Sequence, residues 1–289
     1  MDTKKYRVLE EAVSLGSFSK AGEALGYTQS AITQMMKILE HEIGFPLLNK
    51  SHQGVQLTPD GQKIMPAIRA LLNSEEALQQ EINFIKNIER GELKIGTFLS
   101  CSIHWLPEII RTFQYDYPLI SLDLFEAGDD ELDQQLLDGQ IDLAFSSQHG
   151  QSALDFIPIS DDPIMAIVPP NHKYYNRSSI KLEEINDQPF ILSEKSFDRD
   201  IHRIIRSHNL RPDVKFASQN GFAIISMVEY GLGISMLPSL ILKNYSGKSH
   251  IIPLEPRQSR QLGILVRSTK NLSPAMGAFI KCSKKILLA

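Results

Sequence analysis

Gly16 to Leu39 reads GSFSKAGEALGYTQSAITQMMKIL, and the assignment of this stretch decides the fold of everything around it. Ser19 is placed to cap a short helix holding Ala21, Ala24 and Leu25; Gly26 supplies a turn, and Thr28 caps a second helix that begins at once. Two short helices joined in this way form a helix-turn-helix. Along the second, Ile32, Met35, Met36, Leu39 and Ile43 recur at three- and four-residue spacing, so they bury together against the helices before them. Gln29, Ser30, Thr33, Gln34 and Lys37 fall on the other face. That row of amides and hydroxyls with one cation, concentrated at a helix N-terminus, has the chemistry of a major-groove reading face. An ordinary solvated helix in a three-helix domain presents the same residue types, so the flanks decide.

Lys4 to Leu15 reads as a preceding helix with Tyr6, Leu9 and Val13 on one face, completing a three-helix core with Phe18. After Gly44, Leu48 and the alternating Val55 and Leu57 flank Asn49 to Gly54, the pattern of a two-stranded wing with Lys50, His52 and Gln53 at its tip, facing phosphates or the minor groove. Thr58-Pro59-Asp60 then combines a cap, a proline at the first helical position and an acid in the first turn. Ile64, Ile68, Leu71, Glu75, Leu78, Ile82 and Ile85 follow in alternating steps of four and three, a coiled-coil seam interrupted by Glu75. Two chains are expected to pair there. A helix running to Ile88 would be about 45 Å long, kinked near its start by Pro66.

The first 60 residues resemble the LysR-type transcriptional regulators. The likeness is carried by GSFSKAGEALGYTQSAITQMMKILEHEIGFPLL from Gly16 to Leu48 and GVQLTPDGQ from Gly54 to Gln62. Ser30 stands where that family usually has proline and Gln34 where it often has arginine, departures that bear on which DNA sequence is preferred. The resemblance implies a winged helix-turn-helix over 1–58, in which Gln29, Thr33 and Gln34 read base edges. Ser19, Thr28, Ser30, Lys37 and the wing's Lys50, His52 and Gln53 are the remaining candidates for DNA contact. It also implies a linker and dimerisation helix with hinge over 59–90.

Composition sets bounds on this reading. The chain has 289 residues and 42% apolar content, enough for about two domains with real cores. The opening MDTKKYRVLEEAV lacks an apolar run of signal-peptide length, and no stretch approaches a membrane span, so a cytoplasmic protein is expected. Two cysteines, Cys101 and Cys282, exclude a disulfide scaffold or a cysteine-rich zinc site and leave only a two-thiol redox switch to consider, with Cys101 as the sensor at a helix start. Residues 1–60 hold six Lys and Arg against seven Asp and Glu, so no basic patch announces itself. DNA affinity must come from a few placed lysines, helix N-termini and the summing of subunits, with a modest salt dependence.

Beyond Glu89-Arg90-Gly91-Glu92, short apolar runs at 93–97, 119–125, 141–145, 164–168, 190–192, 214–216, 234–236 and 262–266 alternate with helical patterns at 103–115, 131–137, 198–208, 221–230 and 274–287. This argues for an α/β region with parallel or mixed sheets covered by helices. GELKIGTF from Gly91, LLDGQIDLAF from Leu136 and MVEYGLGISMLP from Met227 resemble signatures of the LysR-type effector-binding half, which shares the architecture of periplasmic-binding proteins of type II. The resemblance thus covers essentially the whole chain. It implies an effector-binding domain over 91–289 with two lobes, one of about 91–161 plus 267–289 and the other of about 162–266, and a ligand between them.

Ligands in open α/β sheets collect beyond the carboxyl ends of strands and at helix N-termini. Phe98, Ser100, Cys101 and Ser102, Ser193 with Glu194, and Asn220, Gly221 and Phe222 occupy such places, with Ser100 first among them because the resemblance places an effector contact there. Helix capping explains each serine or asparagine singly; their joint placement favours a site. Phe145, Ser146 and His104 are candidate additions, and Arg199 a candidate charge partner for a small anionic effector such as an organic or amino acid.

Other classes fare worse. There is no G-x-S-x-G elbow, Walker loop or H-E-x-x-H, the eight histidines show no metal spacing, and Gly231-Leu232-Gly233 precedes a strand instead of following one, so neither an enzyme nor a metal or other cofactor is expected. The reading that follows is a LysR-type regulator. Its partners would be double-stranded promoter DNA, a small-molecule effector and itself, as a homodimer assembling to a homotetramer, with RNA polymerase a further candidate. The alternatives are a constitutive DNA-binding protein with a vestigial cleft and a cytoplasmic solute-binding or enzymatic α/β protein.

Overall fold

The structure is a computed structural model describing residues 3–51, 54–85, 90–148, 153–196 and 198–288. The chain divides into two compact units, one of Met1–Ile88 with Leu137–Gln140 and one of Glu89–Leu136 with Ile141–Ala289.

In the first unit α1 (Thr3–Ser14), α2 (Phe18–Leu25) and α3 (Gln29–Ile43) enclose a core of Tyr6, Leu9, Ala12, Phe18, Ala21, Ile32, Met36 and Leu39. The turn between α2 and α3 depends on two glycines. Gly26 takes a left-handed φ of 72°, which a side chain disfavours, and a Cβ on Gly22 would lie 2.6 Å from the Tyr27 carbonyl oxygen. The cap of α2 is Ser17, whose Oγ accepts from the Lys20 N–H, and not Ser19, which lies exposed in the first turn. Thr28 caps α3 by accepting from the Ala31 N–H at 3.2 Å. Strands β1 (Leu48–Ser51) and β2 (Gly54–Leu57) pair antiparallel, and the Val55 N–H bonds to the Gly16 carbonyl at 2.9 Å, holding this wing against the α1–α2 turn.

The helix α4 (Pro59–Ile85) starts where Thr58 Oγ1 accepts from the Gly61 N–H at 2.9 Å and donates to the Pro46 carbonyl at 2.8 Å. It runs on through Pro66, so the proline removes one donor without ending the helix. Its expected seam is divided. Ile68, 4% exposed, and Ile64 belong to the core of their own unit together with Met65 and Leu72, whereas Leu71 and Leu78 are 41% and 62% exposed and Ile82 half-buried. Ile68 is therefore not available to a partner chain and Ile64 only in part: the N-terminal third of α4 packs on α1 and uses its apolar residues there. Glu75 is not a bare interruption of the seam either, since it pairs with Arg7 and accepts from Thr3 on α1. Ile85 is the last residue of α4.

In the second unit β3 (Arg90–Thr97) leads to α5 (Leu99–His104), α6 (Leu106–Asp116), β4 (Leu119–Glu126), α7 (Asp129–Leu137), β5 (Leu143–Ser147) and β6 (Asp155–Val168). There follow β7 (Ile180–Lys181), a 3-10 turn (Leu182–Ile185), β8 (Pro189–Ser193), α8 (Arg199–Ser207), β9 (Asp213–Ser218), α9 (Gly221–Glu229), β10 (Ser235–Pro238), β11 (His250–Val266) and α10 (Pro274–Leu287). The helix expected over 103–115 is two, because Pro107 fits the start of a helix but not its interior.

Seven strands form one mixed sheet in the order β10-β6-β11-β5-β3-β4, with β7 parallel to β11, while β8 and β9 pair separately and in parallel. The antiparallel pair β6–β11 runs through both lobes. Ile159 of β6 and Leu262, Ile264, Leu265 and Val266 of β11 pack into a first core with Leu93, Ile95, Trp105, Phe113, Phe145 and Phe279. Ile164, Ala166 and Val168 of β6 and Ile252 and Leu254 of β11 pack into a second with Phe190, Ile201, Ile204 and Met236. The lobe boundary in β11 thus falls near residue 261, and 262–266 belong to the first lobe, a correction of the expected division at 266.

Candidate functional site

The exposed face of α3 carries Gln29, Ser30, Gln34 and Lys37, with Thr33 half-buried, while Ile32, Met36 and Leu39 on the opposite face are fully buried. Burying three such side chains contributes on the order of 5 kcal/mol and leaves the polar row no other orientation than outward. Ser30 Oγ lies 3.0 Å from Thr28 Oγ1, so the two hydroxyls share one bond at the helix start. Four cations of this unit are matched by acids: Lys5 by Glu42, Arg7 by Glu75, Lys63 by Asp60 and Arg69 by Glu10. Lys20 on α2 and Lys37 on α3 have no ion pair among the described residues. Each helix of the helix-turn-helix thus carries a cation that no acid among the described residues matches. Lys50 lies in β1 opposite Val55, and the expected tip residues His52 and Gln53 lie outside the described residues.

In the second unit a cleft of about 440 Å³, open solvent at its mouth included, lies where β6 and β11 pass between the lobes. Of the expected effector residues it brings together Phe98, Ser100, Ser193 and Gly221. It adds Leu99, Asp198, Gln219, Leu237, Pro238, Ile241 and Arg260. Glu194 reaches the cleft only through Gln219, whose Nε2 donates to it at 2.9 Å.

The other candidates are placed elsewhere. Cys101 is fully buried in the first core, and burial pushes its thiol up to about 12 against the opposing pull of Arg260, which makes it an inert core group and not a sensor. Cys282 is a free, half-buried thiol also held above its ordinary value by burial. Ser102 donates to Glu126 at 2.9 Å; His104 lies outside the cleft lining, its pKa lowered by burial and by Lys243. Phe145 packs edge-on against Trp105 and Phe279 in the core, and Ser146 is buried with its hydroxyl 3.4 Å from Asp129. Asn220 uses its side chain to cap α9 through the Phe222 and Ala223 N–H groups, and Phe222 is half-exposed outside the cleft. Arg199 turns away from the ligand space altogether. From α8 it crosses to α7 of the other lobe, where its backbone N–H meets Asp129 at 2.9 Å and its guanidinium meets Asp130 and, at 2.6 Å, Asp133. It latches the lobes together.

Arg260 is the cation the cleft does hold. Six per cent exposed, it donates from Nε to Asp162 Oδ2 at 3.0 Å and from Nη2 to Ser100 Oγ at 3.2 Å, and lies over the Phe98 ring at 5.3 Å. Asp162, 4% exposed, also accepts from Ser239 Oγ at 2.8 Å and the Leu240 N–H at 2.9 Å. Asp198 completes the polar end: Oδ1 caps α8 by accepting from Asp200 and Ile201, and burial raises its pKa against the lowering field of Arg260. With Asp162 already on Arg260 and Asp198 beside it, the floor of the cleft carries no net positive charge. Arg199 is thus not the charge partner of a ligand in this cleft, and the cation that lines it is Arg260. Sequence reasoning missed Arg260 and Asp162 because they sit in polar stretches, PRQSRQ and SDDP, that read as loop; the signal available was Arg260 in two-residue alternation with Leu262, Ile264 and Val266.

A winged helix-turn-helix with an outward reading helix, in one chain with a two-lobed α/β fold around a cleft, is the make-up of a ligand-responsive DNA-binding regulator. Residues 3–62 match the family model of the bacterial regulatory helix-turn-helix proteins of the lysR family, and residues 86–287 match that of the LysR substrate binding domain. The chain belongs to the LysR family: it is a DNA-binding transcription regulator and not an enzyme. Similar proteins include the HTH-type transcriptional regulator YvbU of Bacillus subtilis (strain 168), 26% identical over 289 residues and 99% of both chains. Full-length OxyR from Pseudomonas aeruginosa matches with a TM-score of 0.82 at 22% identity, over 98% of this chain and 95% of that one. The effector binding domain of QuiR in complex with shikimate matches with a TM-score of 0.62 at 20% identity, over 69% of this chain and 98% of that one. No helix among the described residues is long and apolar enough to cross a membrane.

Proposed function

We propose that this regulator acts in the cytoplasm as a homodimer or a homotetramer built from dimers, places two α3 helices in successive major grooves of an imperfect dyad site, and changes its grip on DNA when a small molecule enters the cleft of the second unit. The observation that carries the reading is the division of α3: its apolar residues are consumed by the core, and its amide and hydroxyl row, with Lys37 unmatched, faces outward. Gln29, Thr33 and Gln34 would read base edges, glutamine being suited to bidentate pairing with adenine, while Ser30, Lys37, Lys20 and Lys50 would fix the phosphate register. Self-association is supported by apolar side chains left exposed on α4, Leu71 and Leu78, and on the edge strands β4, with Leu119, Leu124 and Phe125, and β9, with Val214 and Phe216.

Effector action is supported by the cleft's position across the two crossing strands and by the Arg199 latch, which ties one lobe to the other. A neighbouring fold, that of QuiR, holds shikimate in its effector binding domain. A ligand shifts the balance of open and closed lobes only by binding one of them better. The test is selection of bound fragments from the source genome by purified protein at physiological salt. Dyad sites with half-sites about one helical turn apart are expected; sequence-indifferent, salt-sensitive recovery would refute the reading.

A further inference from the structure

Among the side chains at the polar end of the cleft, acceptor oxygens outnumber free N–H donors. Arg260 spends Nε and Nη2 on Asp162 and Ser100, leaving Nη1 as its one nitrogen without a hydrogen bond to a described residue. Against it stand three oxygens in the cleft lining. Asp198 Oδ2 has no hydrogen bond among the described residues, its Oδ1 being the one that caps α8. Gln219 gives its Nε2 to Glu194, so its carbonyl oxygen is the end that remains to accept. Ser193 adds a buried hydroxyl, its carbonyl being held by His202 at 2.7 Å.

The charges point the same way. Asp162 and Asp198 share one arginine, Asp200 beside them pairs with Arg203 and has a second buried oxygen, Oδ2, without a hydrogen-bond partner among the described residues, and Glu194 sits behind Gln219. Carboxylates thus outnumber cations in this neighbourhood, and at low dielectric a carboxylate without an ammonium of its own would be repelled where a cation would be held. The remaining lining side chains, Phe98, Leu99, Leu237, Pro238 and Ile241, are apolar.

We infer that the cleft takes a small apolar molecule bearing a primary ammonium group, seated between Asp198 and Gln219 with its hydrocarbon against Phe98, Leu237 and Ile241. An apolar amine and an apolar α-amino acid share this chemistry; in the second, the carboxylate would take up Arg260 Nη1. The inference rests on the cleft being the effector site.

The experiment is calorimetric titration of the full chain, with Trp105 fluorescence as the melting readout, against pairs of primary amine and carboxylate built on the same isobutyl, hexyl and 2-phenylethyl bodies, plus leucine and phenylalanine. An amine or amino acid of the panel is expected to bind and raise the melting temperature, its carboxylate counterpart not. Asp198→Asn keeps a good helix cap while removing the charge, and is expected to weaken that ligand by about tenfold to a hundredfold. Equal or tighter binding by a carboxylate, binding by no member of the panel, or full affinity in Asp198→Asn overturns the inference; if that variant does not fold, the paired panel on the native chain decides. These results leave the DNA selection untouched, so dyad sites recovered beside a carboxylate-selective cleft would overturn the ligand class alone.

Discussion

Arg260→Met is the sharpest test of how the second unit is held together. The guanidinium and the Asp162 carboxylate are 6% and 4% exposed and meet through Nε and Nη2 at 3.0 Å, so removing the arginine leaves a carboxylate in the interior without its counter-ion. Breaking a buried pair from one side costs about 3 to 5 kcal/mol, which for a unit of this size lowers the melting temperature by about 6 to 20 °C. Trp105 is the chain's one tryptophan and packs against Phe145 in the first core, so its fluorescence follows this unit and not the helix-turn-helix. The double variant Arg260→Met with Asp162→Asn removes the stranded charge, while the amide oxygen that replaces the carboxylate still accepts from Ser239 and Leu240; it is expected to regain about 1 to 2 kcal/mol. A single variant within about 1 kcal/mol of the native chain, or a double variant no better than the single one, would refute the account of the pair as a mutually compensating buried unit.

The remaining expectations concern both units. Gln34→Ala should lose about 1 to 3 kcal/mol at one position of the DNA site in binding assays across site variants, whereas a uniform loss would make Gln34 a phosphate contact. Leu71→Asp with Leu78→Asp should shift sedimentation towards monomer with little change in melting, while Ile68→Ala should cost about 2 to 5 kcal/mol in the first unit's core; the reverse pattern would restore Ile68 to the seam. Cys101 should stay unmodified by a thiol reagent at neutral pH until the second unit unfolds, and labelling of the native protein at that position would reopen the redox switch. Glu184 accepts from the Lys181 N–H and from both Arg177 Nη atoms, which hold its pKa below the ordinary value of 4.5. Its stabilising effect is therefore full above that value and lost as pH falls through the lower folded pKa, so Glu184→Gln should lower the melting temperature at pH 7 and flatten its decline in acid.

The first unit was readable in one dimension because its contacts are local. Thr28, Gly26 and the three- and four-step rows of α3 act within a turn or two of chain, so caps, turns and buried faces follow from spacing alone. Even there Ser17 and Ser19 compete for one cap two residues apart, and only the folded turn separates them. The family motifs and the strand-helix alternation likewise carried the architecture of the second unit and the positions of Ser100, Ser193 and Gly221 in its cleft.

What tertiary structure alone decided is which side chains meet across long stretches of chain. Arg260 finds Ser100 and Asp162 from far along the sequence because β6 and β11 carry both lobes, and a strand that changes cores midway loses the two-residue rhythm by which strands are recognised. Arg199, apt in chemistry for a ligand, is taken by Asp130 and Asp133. Ile64 and Ile68 fit the coiled-coil period as well as Leu78 does, but α1 lies over one end of α4 and not the other. Period and residue type state what a side chain is able to do; burial and the nearest opposite charge settle which of those things it does.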